Sequence, residues 1–193
     1  MQEKRESAKE RILRVADELF YREGVRAVGI DRIIMESGVA KASFYRNFPT
    51  KDDLVVAYLE LHRQRSLGHI EHARQQHPES VPEQLRYLME YVGERMKRPG
   101  YRGCALMNTA VEFPEPGHLC HAKALESRKD VWDRVAEMTK EAGFPDYREL
   151  TEQLRMLWSG AVMVAYINHA EFKPEMFSEA AKKLIDGQLA LLS

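Results

Sequence analysis

The apolar residues of this chain recur every three or four positions along most of its length, which is the spacing of an α-helix. The first stretch carries five such residues on one helical face: Ile12, Val15, Ala16, Leu19 and Phe20. Gly24 follows, at the position where many helices end in a left-handed residue. The pattern therefore predicts an amphipathic first helix that ends close to Gly24.

Two short helical segments come next, and a glycine separates them. The first carries three isoleucines that would face inward, and it ends at Gly38. The second covers about 41–47 and ends before Pro49, because proline cannot continue a helix. Thr50 is a natural N-cap, so a longer fourth helix is predicted to follow it and to run to about Arg74.

The rest of the chain keeps the helical spacing, and proline and glycine mark its joints. Further helices are predicted at about 82–97, in a segment after Gly103, and at about 119–141, 147–170 and 174–192. No stretch alternates in the manner of a β-strand, and no segment is repeated. The predicted fold is all-α with about nine helices: three short N-terminal ones, a long connector and a larger helical bundle.

The composition is that of an ordinary globular protein. It argues against a membrane-spanning, a secreted or a disulfide-stabilised protein. Hydrophobic residues make up 44% and charged residues 31% of the 193 residues. The longest apolar run, 161–167, is too short to span a bilayer, and the charged N-terminus lacks the apolar stretch of a signal peptide. Two cysteines do not make a disulfide framework. We therefore expect a cytoplasmic protein with no membrane association.

The charge is distributed unevenly along the chain, although its net value is only −1. Residues 1–65 contain 13 Lys and Arg against 11 Asp and Glu, whereas the remainder contains 16 against 19. A slightly basic N-terminal part on a neutral chain is compatible with a DNA-binding head on a neutral body.

The most informative stretch is 38–54, which predicts a glycine-containing turn and a short helix after the preceding helical segment. Such a unit can lay its second helix in the major groove of DNA. Val39, Phe44 and Phe48 can pack inward and fix the angle between the two helices. The open face, together with the next helix start, then carries the candidate DNA-binding residues: Lys41, Ala42, Ser43, Tyr45, Asn47 and Lys51.

Each of these side chains suits a contact with DNA. Ala42 and Ser43 are small and allow the backbone to approach base edges closely. The lysines can neutralise phosphates, and the Tyr45 hydroxyl can donate a hydrogen bond to one. Asn47 could read a base or contact a phosphate.

The same stretch resembles the signature of the TetR family of bacterial transcriptional regulators. The signature is Gly-Val, Ser or Thr, Lys, a small residue, Ser or Thr, Leu or Phe, Tyr, any residue, His or Tyr, and Phe, followed shortly by Lys and an acidic residue. The matching residues here are Gly38-Val39, Lys41, Ala42-Ser43, Phe44-Tyr45, Phe48 and Lys51-Asp52. The resemblance covers about residues 8–60 closely and the remainder only in helical layout and length. It implies that the third helix reads the major groove, while Tyr45 and Lys51 hold phosphates.

The resemblance also implies a domain layout and a function. Residues 1–50 would form the helix-turn-helix DNA-binding domain, and residues 51–193 a helical ligand-binding and dimerisation domain. The implied protein is a homodimer and a transcriptional regulator, expected to be a repressor. A small apolar or amphipathic effector would release it from palindromic double-stranded operator DNA.

The chain departs from the family pattern at three places, one of them a pair of residues. Ala40 stands where Ser or Thr is usual, Val28-Gly29 replaces a hydroxyl-bearing start of the second helix, and Asn47 replaces a common His or Tyr. The first two changes remove side-chain caps and phosphate ligands. These losses leave open an alternative, a helical ligand-binding protein that has lost DNA binding.

The resemblance further implies that the last two helices pair with those of a partner chain. The penultimate helix offers a stripe for close packing: Leu154, Leu157, Gly160, Ala161, Val164 and Ala165. The last helix offers another: Ala180, Ala181, Leu184, Ile185, Gln188 and Leu192. Either stripe could also be intramolecular core, but a two-fold operator requires a dimer, so we expect at least part of them to form the interface.

The segment 103–114 is a nearly apolar short helix with one amide, Asn108, followed by an acidic turn. It resembles the sixth helix of TetR regulators, which links the ligand pocket to the DNA-binding head. A buried amide needs a polar partner, which could be a ligand or a backbone group. The candidate ligand-binding residues are Cys104, Met107, Asn108, Val111, Trp158, Val162 and Tyr166, although ordinary core packing is an alternative for most of them.

Other chemistries find less support. Cys104 follows Gly103 beside Arg102, which suits a cysteine-based redox or electrophile sensor of the same fold as well as an inert thiol. His118, Cys120 and His121 are too few for a zinc site unless Glu112, Glu115 or Cys104 joins them, so no metal and no cofactor is predicted. The one Glu-x-x-His pattern, at Glu115, lies in a turn, and no catalytic constellation is found, so the chain is not expected to be an enzyme.

Overall fold

The structure, a computed structural model, describes residues 6–192. This part of the chain contains nine α-helices and no β-strand, as the sequence predicts. The helices are α1 Ala8–Glu23, α2 Ile30–Ser37, α3 Lys41–Asn47, α4 Lys51–Gln76, α5 Val81–Met96, α6 Ala105–Glu112, α7 Leu119–Glu141, α8 Tyr147–Ile167 and α9 Pro174–Leu189. Among the described residues, no helix combines the length and apolar character needed to cross a lipid bilayer.

Two predicted helix ends were too late. Helix α8 ends at Ile167 rather than near residue 170, and α9 ends at Leu189 rather than at 192. The segment after α8 is held outside the helix by a side chain from another part of the chain. The Lys97 ammonium donates hydrogen bonds to the carbonyl oxygens of His169 and Phe172, at 3.2 and 2.8 Å.

The described chain divides into two compact units. The first contains the chain up to His62 together with Ala105–Ser127, and the second contains Arg63–Cys104 together with the chain from Arg128 onward. This spatial grouping differs from a division at residue 50, which remains a prediction about the functional domains. In the first unit, α6 and the start of α7 belong with the three N-terminal helices.

The first unit is built around the apolar face of α1. Its five predicted residues, Ile12 to Phe20, are all buried, and the Phe20 ring packs edge-on against the Tyr58 ring of α4 at 5.5 Å. A capping box at Ser7 and Glu10 begins α1, with each side chain accepting a hydrogen bond from the other residue's backbone N–H. The imidazole of His62 in α4 lies 2.7 Å from the carboxylate of Asp17 in α1, which adds a polar contact between the two helices.

The second unit packs α9 against α5 and α8. Gly93 of α5 lies directly under the Phe177 ring of α9, where a Cβ atom would come within 2.9 Å of the ring. The Arg86 guanidinium in α5 pairs with the Asp186 carboxylate in α9 at the border of this contact. Gly93 therefore permits the close approach of α9 to α5, and the ion pair adds a polar contact between the two helices.

Candidate nucleic-acid interface

The turn between α2 and α3 depends on one glycine. Gly38 has φ +64, in the left-handed region that residues with a Cβ rarely adopt. Its backbone N–H donates hydrogen bonds to the carbonyl oxygens of Ile34 and Met35, at 3.1 and 3.3 Å. The glycine closes α2 and redirects the chain into α3 within three residues.

Apolar residues pack helix α3 against the rest of the first unit. Phe44 is fully buried, and Val39 and Phe48 are nearly so. The Phe44 ring lies 6.3 Å from that of Phe48, and Ile33 of α2 is fully buried in the same unit. The three aromatic and aliphatic side chains predicted to pack inward do so, and this leaves one face of α3 outside.

The outer face of α3 carries the predicted DNA-binding residues. Lys41 and Ala42 are exposed, Tyr45 is 41% exposed, and Ser43 and Asn47 are half-buried. Arg46 is exposed in the last turn of the same helix, and sequence reasoning passed over it because the motif comparison gave it no role. A count of cations on the predicted helix would have drawn attention to it.

Two of these side chains already have intramolecular contacts. The Lys41 ammonium lies 3.4 Å from the carboxylate of Asp31 in α2, and both side chains are largely exposed. The Asn47 amide donates a hydrogen bond to the Ser43 carbonyl oxygen at 2.8 Å, so it closes the end of its own helix. The bond uses one of the two N–H groups of the Asn47 amide, so its other N–H and its oxygen remain for a contact with DNA.

Lys51 is placed differently from the other candidates. It is half-buried, and its ammonium lies 6.0 Å from the centre of the Phe20 ring. Burial lowers the pKa of Lys51, while the carboxylates of Glu112 and Asp52 oppose the shift. A phosphate contact therefore requires the Lys51 side chain to turn outward.

The N-termini of α2, α3 and α4 differ in their capping hydrogen bonds. Thr50 caps α4, since its hydroxyl accepts a hydrogen bond from the Asp53 N–H at 3.1 Å and its own N–H donates to the Asp53 carboxylate. Gly29 and Ala40 precede α2 and α3 and form no side-chain cap. The two departures from the usual hydroxyl residues thus remove the caps that the sequence comparison indicated.

The last residue of α6, Glu112, forms hydrogen bonds with the turn between α1 and α2. The Glu112 carboxylate accepts hydrogen bonds from the backbone N–H groups of Val25 and Arg26, at 3.1 and 2.7 Å. Gly24 lies beside it with φ +93, and a Cβ there would approach Glu112 Oε1 to 3.2 Å. The Arg26 guanidinium stacks over the Phe113 ring at 4.9 Å. These contacts, which sequence reasoning missed, join α6 to the helices that carry the open face.

The predicted ligand-binding residues fall in both compact units. In α6, Met107 and Asn108 are half-buried, whereas Val111 is 78% exposed. In the second unit, Cys104 is half-buried, Val162 is buried in α8, and Tyr166 is exposed. The Trp158 ring packs edge-on against that of Trp132 at 5.8 Å. Their assignment to a ligand pocket stays a prediction.

A groove of about 380 Å³ lies between α4 and α7 in the second unit. Its lining includes Leu67, Gly68 and Ile70 of α4 with Arg74 and Arg134. The seven predicted ligand-binding residues do not line this groove.

The turn before α7 brings together residues that are distant in the sequence. A carboxylate oxygen of Asp52, a ring nitrogen of His118 and the Sγ atom of Cys120 lie within 4.8 Å of one another. His121, which the sequence grouped with the last two, instead lies with its Nδ1 2.6 Å from the Phe113 carbonyl oxygen. Burial, with the neighbouring Asp52 carboxylate, raises the pKa of the Cys120 thiol to about 12, so this cysteine is a poor nucleophile.

Comparison with known proteins supports the resemblance. Residues 12–58 match the family model described as bacterial regulatory proteins, tetR family. A TetR-family transcriptional regulator from Streptomyces coelicolor has a similar structure, with 34% identity and a TM-score of 0.82, over 95% of this chain and 94% of that one. A putative TetR regulator from Streptomyces avermitilis has 27% identity and a TM-score of 0.80, over 94% and 98% of the two chains.

A curated relative gives a shorter match. It is an uncharacterised HTH-type transcriptional regulator from the lacX 3' region of Lactococcus lactis subsp. lactis, 24% identical over 108 residues. The match covers 55% of each chain, so this chain spans about half the length of that relative.

Proposed function

Because the chain belongs to the TetR family of DNA-binding transcriptional regulators, we propose that it is a homodimeric repressor that a small apolar or amphipathic ligand releases from a palindromic operator. The observation that carries the DNA-binding part is the outer face of α3. It presents Lys41, Tyr45 and Arg46 to solvent, while the buried Phe44 holds the helix in place. The family and the fold are those of transcriptional regulators, and the proposal includes no catalytic step.

The side chains of this face divide between reading bases and holding the DNA backbone. Lys41 and Ser43 lie near the start of α3, the end that enters the groove in helix-turn-helix proteins, and are assigned to base edges. Tyr45 and Lys51 are assigned to phosphates, since their long side chains end in donors. Ala42 allows close approach, and Asn47 is assigned to a base or a phosphate through the amide atoms that its bond to Ser43 does not use.

The dimer part of the proposal rests on the solvent side of α8. The predicted stripe divides into two parts, because Leu154 and Ala165 are buried within the chain whereas Gly160 and Val164 are exposed. The exposed part continues through further apolar residues at helical spacing: Met156, Met163 and Ile167. A contiguous apolar face of this kind is uncommon on a monomer and is typical of an interface.

A predicted stripe on α9 divides in the same way. Ala181 and Ile185 are buried within the chain, whereas Leu192 beyond the helix is exposed. Gly187 of α9 and Gly160 of α8 both have open space where a Cβ would lie, which permits close approach of a partner helix. A two-fold axis through such a face gives the dimer that a palindromic operator requires.

The ligand-release part rests on α6. This helix follows Cys104 directly, contains three of the predicted ligand-binding residues, and ends at Glu112, which holds the α1–α2 turn. A ligand that shifts α6 would therefore disturb the helices that position α3. Coupling of this kind is reciprocal, with a typical free energy of about 1–3 kcal/mol.

Selection from a pool of random DNA duplexes at a stated salt concentration tests the function. We expect enrichment of a palindromic sequence, because two symmetric heads read two half-sites. The control is the double variant Lys41→Ala/Tyr45→Ala, which keeps the buried Phe44 and is expected to enrich nothing. Failure of the wild-type protein to enrich any sequence would contradict DNA binding, and enrichment of a site without two-fold symmetry would contradict the dimer.

A further inference from the structure

Three side chains that commonly bind metal ions meet where α4 and α7 begin. Asp52 lies in the first turn of α4, whereas His118 and Cys120 lie on either side of the first residue of α7. One ligand atom from each lies within 4.8 Å of the other two, and His118 Nε2 is 3.8 Å from Asp52 Oδ2. Cys120 is fully buried, and the other two are half-buried.

We propose that Asp52, His118 and Cys120 form a binding site for one divalent cation of the zinc class. The donor set of one carboxylate oxygen, one imidazole nitrogen and one thiolate sulfur suits zinc, whereas magnesium and calcium prefer oxygen alone. Three protein ligands leave a fourth tetrahedral position for a water molecule. The observations behind this site are separate from those behind the operator and the effector proposed above.

The geometry requires only a small adjustment. Metal–ligand bonds of about 2.0–2.3 Å place the ligand atoms of a tetrahedral site roughly 3.5 Å apart. The carboxylate and imidazole atoms are already near that separation. The distances from Asp52 and His118 to the sulfur of Cys120 can shorten by rotation of these two half-buried side chains, while burial fixes the position of Cys120.

Binding involves definite changes in protons and hydrogen bonds. The Cys120 thiol releases its proton to solvent, and the thiolate and the Asp52 carboxylate then balance the two positive charges of the ion. The Nδ1 atom of His118 accepts a hydrogen bond from the Cys120 backbone N–H at 3.2 Å, and this bond is lost when Nε2 binds the metal and Nδ1 carries the proton. Lys51 competes with the ion, because its charge interacts with both Asp52 and Cys120.

The position of the site gives it a structural consequence. Asp52 comes five residues after Asn47, the last residue of α3, and the other two ligands flank the start of α7. All three ligands belong to the first compact unit. A bound ion would tie the start of α4, which follows the DNA-reading helix, to the segment that follows α6.

Titration of the metal-free full-length protein with Co²⁺ tests the proposal, because cobalt reports its ligands by absorption. We expect one equivalent to bind and to give a thiolate-to-cobalt charge-transfer band with the intense visible bands of four-coordinate cobalt. Added Zn²⁺ should remove these bands. A protein in which the three side chains only hydrogen-bond to one another gives no such bands, and that result would overturn the proposal.

Variants assign the ligands. Cys120→Ser is expected to abolish the charge-transfer band, whereas the matched variant Cys104→Ser should retain it. Since Cys120 is buried, His118→Gln and Asp52→Asn serve as milder changes, with folding checked by circular dichroism. Each is expected to weaken Co²⁺ binding by more than about tenfold, the loss typical of even an outer-shell partner. Lys51→Gln should tighten it. A charge-transfer band that persists in Cys120→Ser, or wild-type affinity in both His118→Gln and Asp52→Asn, would show that the site does not exist.

Discussion

The Glu112 carboxylate accepts a hydrogen bond of 2.7 Å from the backbone N–H of Arg26, 86 residues earlier in the chain. A second bond, from the N–H of Val25, uses the other carboxylate oxygen. One side chain at the end of α6 thereby satisfies two backbone donors that follow α1. Since α1 and α2 carry the reading helix α3, this contact sets the position of the open face relative to α6 within the first unit.

Removal of the Glu112 carboxylate should destabilise the protein. We expect Glu112→Ala to lower the free energy of unfolding by about 1–3 kcal/mol, because two backbone donors lose a charged acceptor. Urea denaturation followed by circular dichroism measures the change. Glu115→Ala is the control, since its carboxylate makes only a long exposed contact of 3.6 Å with Arg26, and it should cost less than about 1 kcal/mol. Equal effects from the two variants would refute the role of Glu112.

A methyl group at Gly93 should be poorly tolerated. Its Cβ would meet the Phe177 ring at 2.9 Å and the Pro174 carbonyl oxygen at 3.6 Å, so Gly93→Ala is expected to cost about 1–3 kcal/mol through overpacking. Gly68→Ala, also within a helix, has open space around the new atom and should be neutral or stabilising by up to about 1 kcal/mol. Thermal unfolding of the two variants checks the contrast, and a stabilised Gly93→Ala protein would contradict the α5–α9 packing.

A charge on the solvent face of α8 should separate the proposed dimer. Met163→Glu places a carboxylate in the middle of the exposed apolar stripe, next to Val164, and is expected to give a monomer in sedimentation velocity at micromolar concentration. Met35→Glu is the matched control, because Met35 is 72% exposed on α2 and lies outside that stripe. A wild-type protein that sediments as a monomer would end the dimer proposal.

Acid should destabilise the protein through His69. Burial, aided by the positive charge of Arg95, lowers the pKa of His69 from 6.5 to about 4. Between these two pH values the unfolded chain binds a proton that the folded chain does not, so stability falls as the pH decreases through that window. His69→Gln should flatten this part of the pH profile of unfolding free energy, which urea denaturation at a series of pH values measures. An unchanged slope in His69→Gln would contradict the assignment.

Most of the fold could be predicted because helical spacing is a local signal. The apolar positions gave all nine helices of the described chain, and Gly38 and Pro49 gave the limits of α3. The ends of α8 and α9 were placed too late. The segment after α8 accepts hydrogen bonds from Lys97, which directly follows α5. Such a contact leaves no mark on the local pattern.

The side-chain contacts of the candidate sites could be predicted from the sequence less well than the helices. The open face of α3 follows from periodicity, but the bonds of Lys41 to Asp31 and of Asn47 to Ser43 depend on side-chain geometry. The α8 stripe looked uniform in sequence, yet packing within the second unit buries Leu154 and Ala165 and leaves Gly160 and Val164 exposed. The meeting of Asp52 with Cys120 joins positions 68 residues apart, and no spacing rule connects them.

Binding of the Lys41→Ala variant to DNA tests most directly whether α3 reads the operator. Fluorescence anisotropy measures binding to the selected operator and to a scrambled duplex at several salt concentrations. The proteins compared are wild type, Lys41→Ala and Lys129→Ala. Lys129 serves as the control because it is an exposed lysine of α7 in the second unit. We predict that Lys41→Ala loses about 1–3 kcal/mol of discrimination between the two duplexes, as expected for loss of a bidentate contact to guanine, while Lys129→Ala retains it. If Lys41→Ala binds the operator as tightly and as selectively as wild type, α3 is not the reading helix.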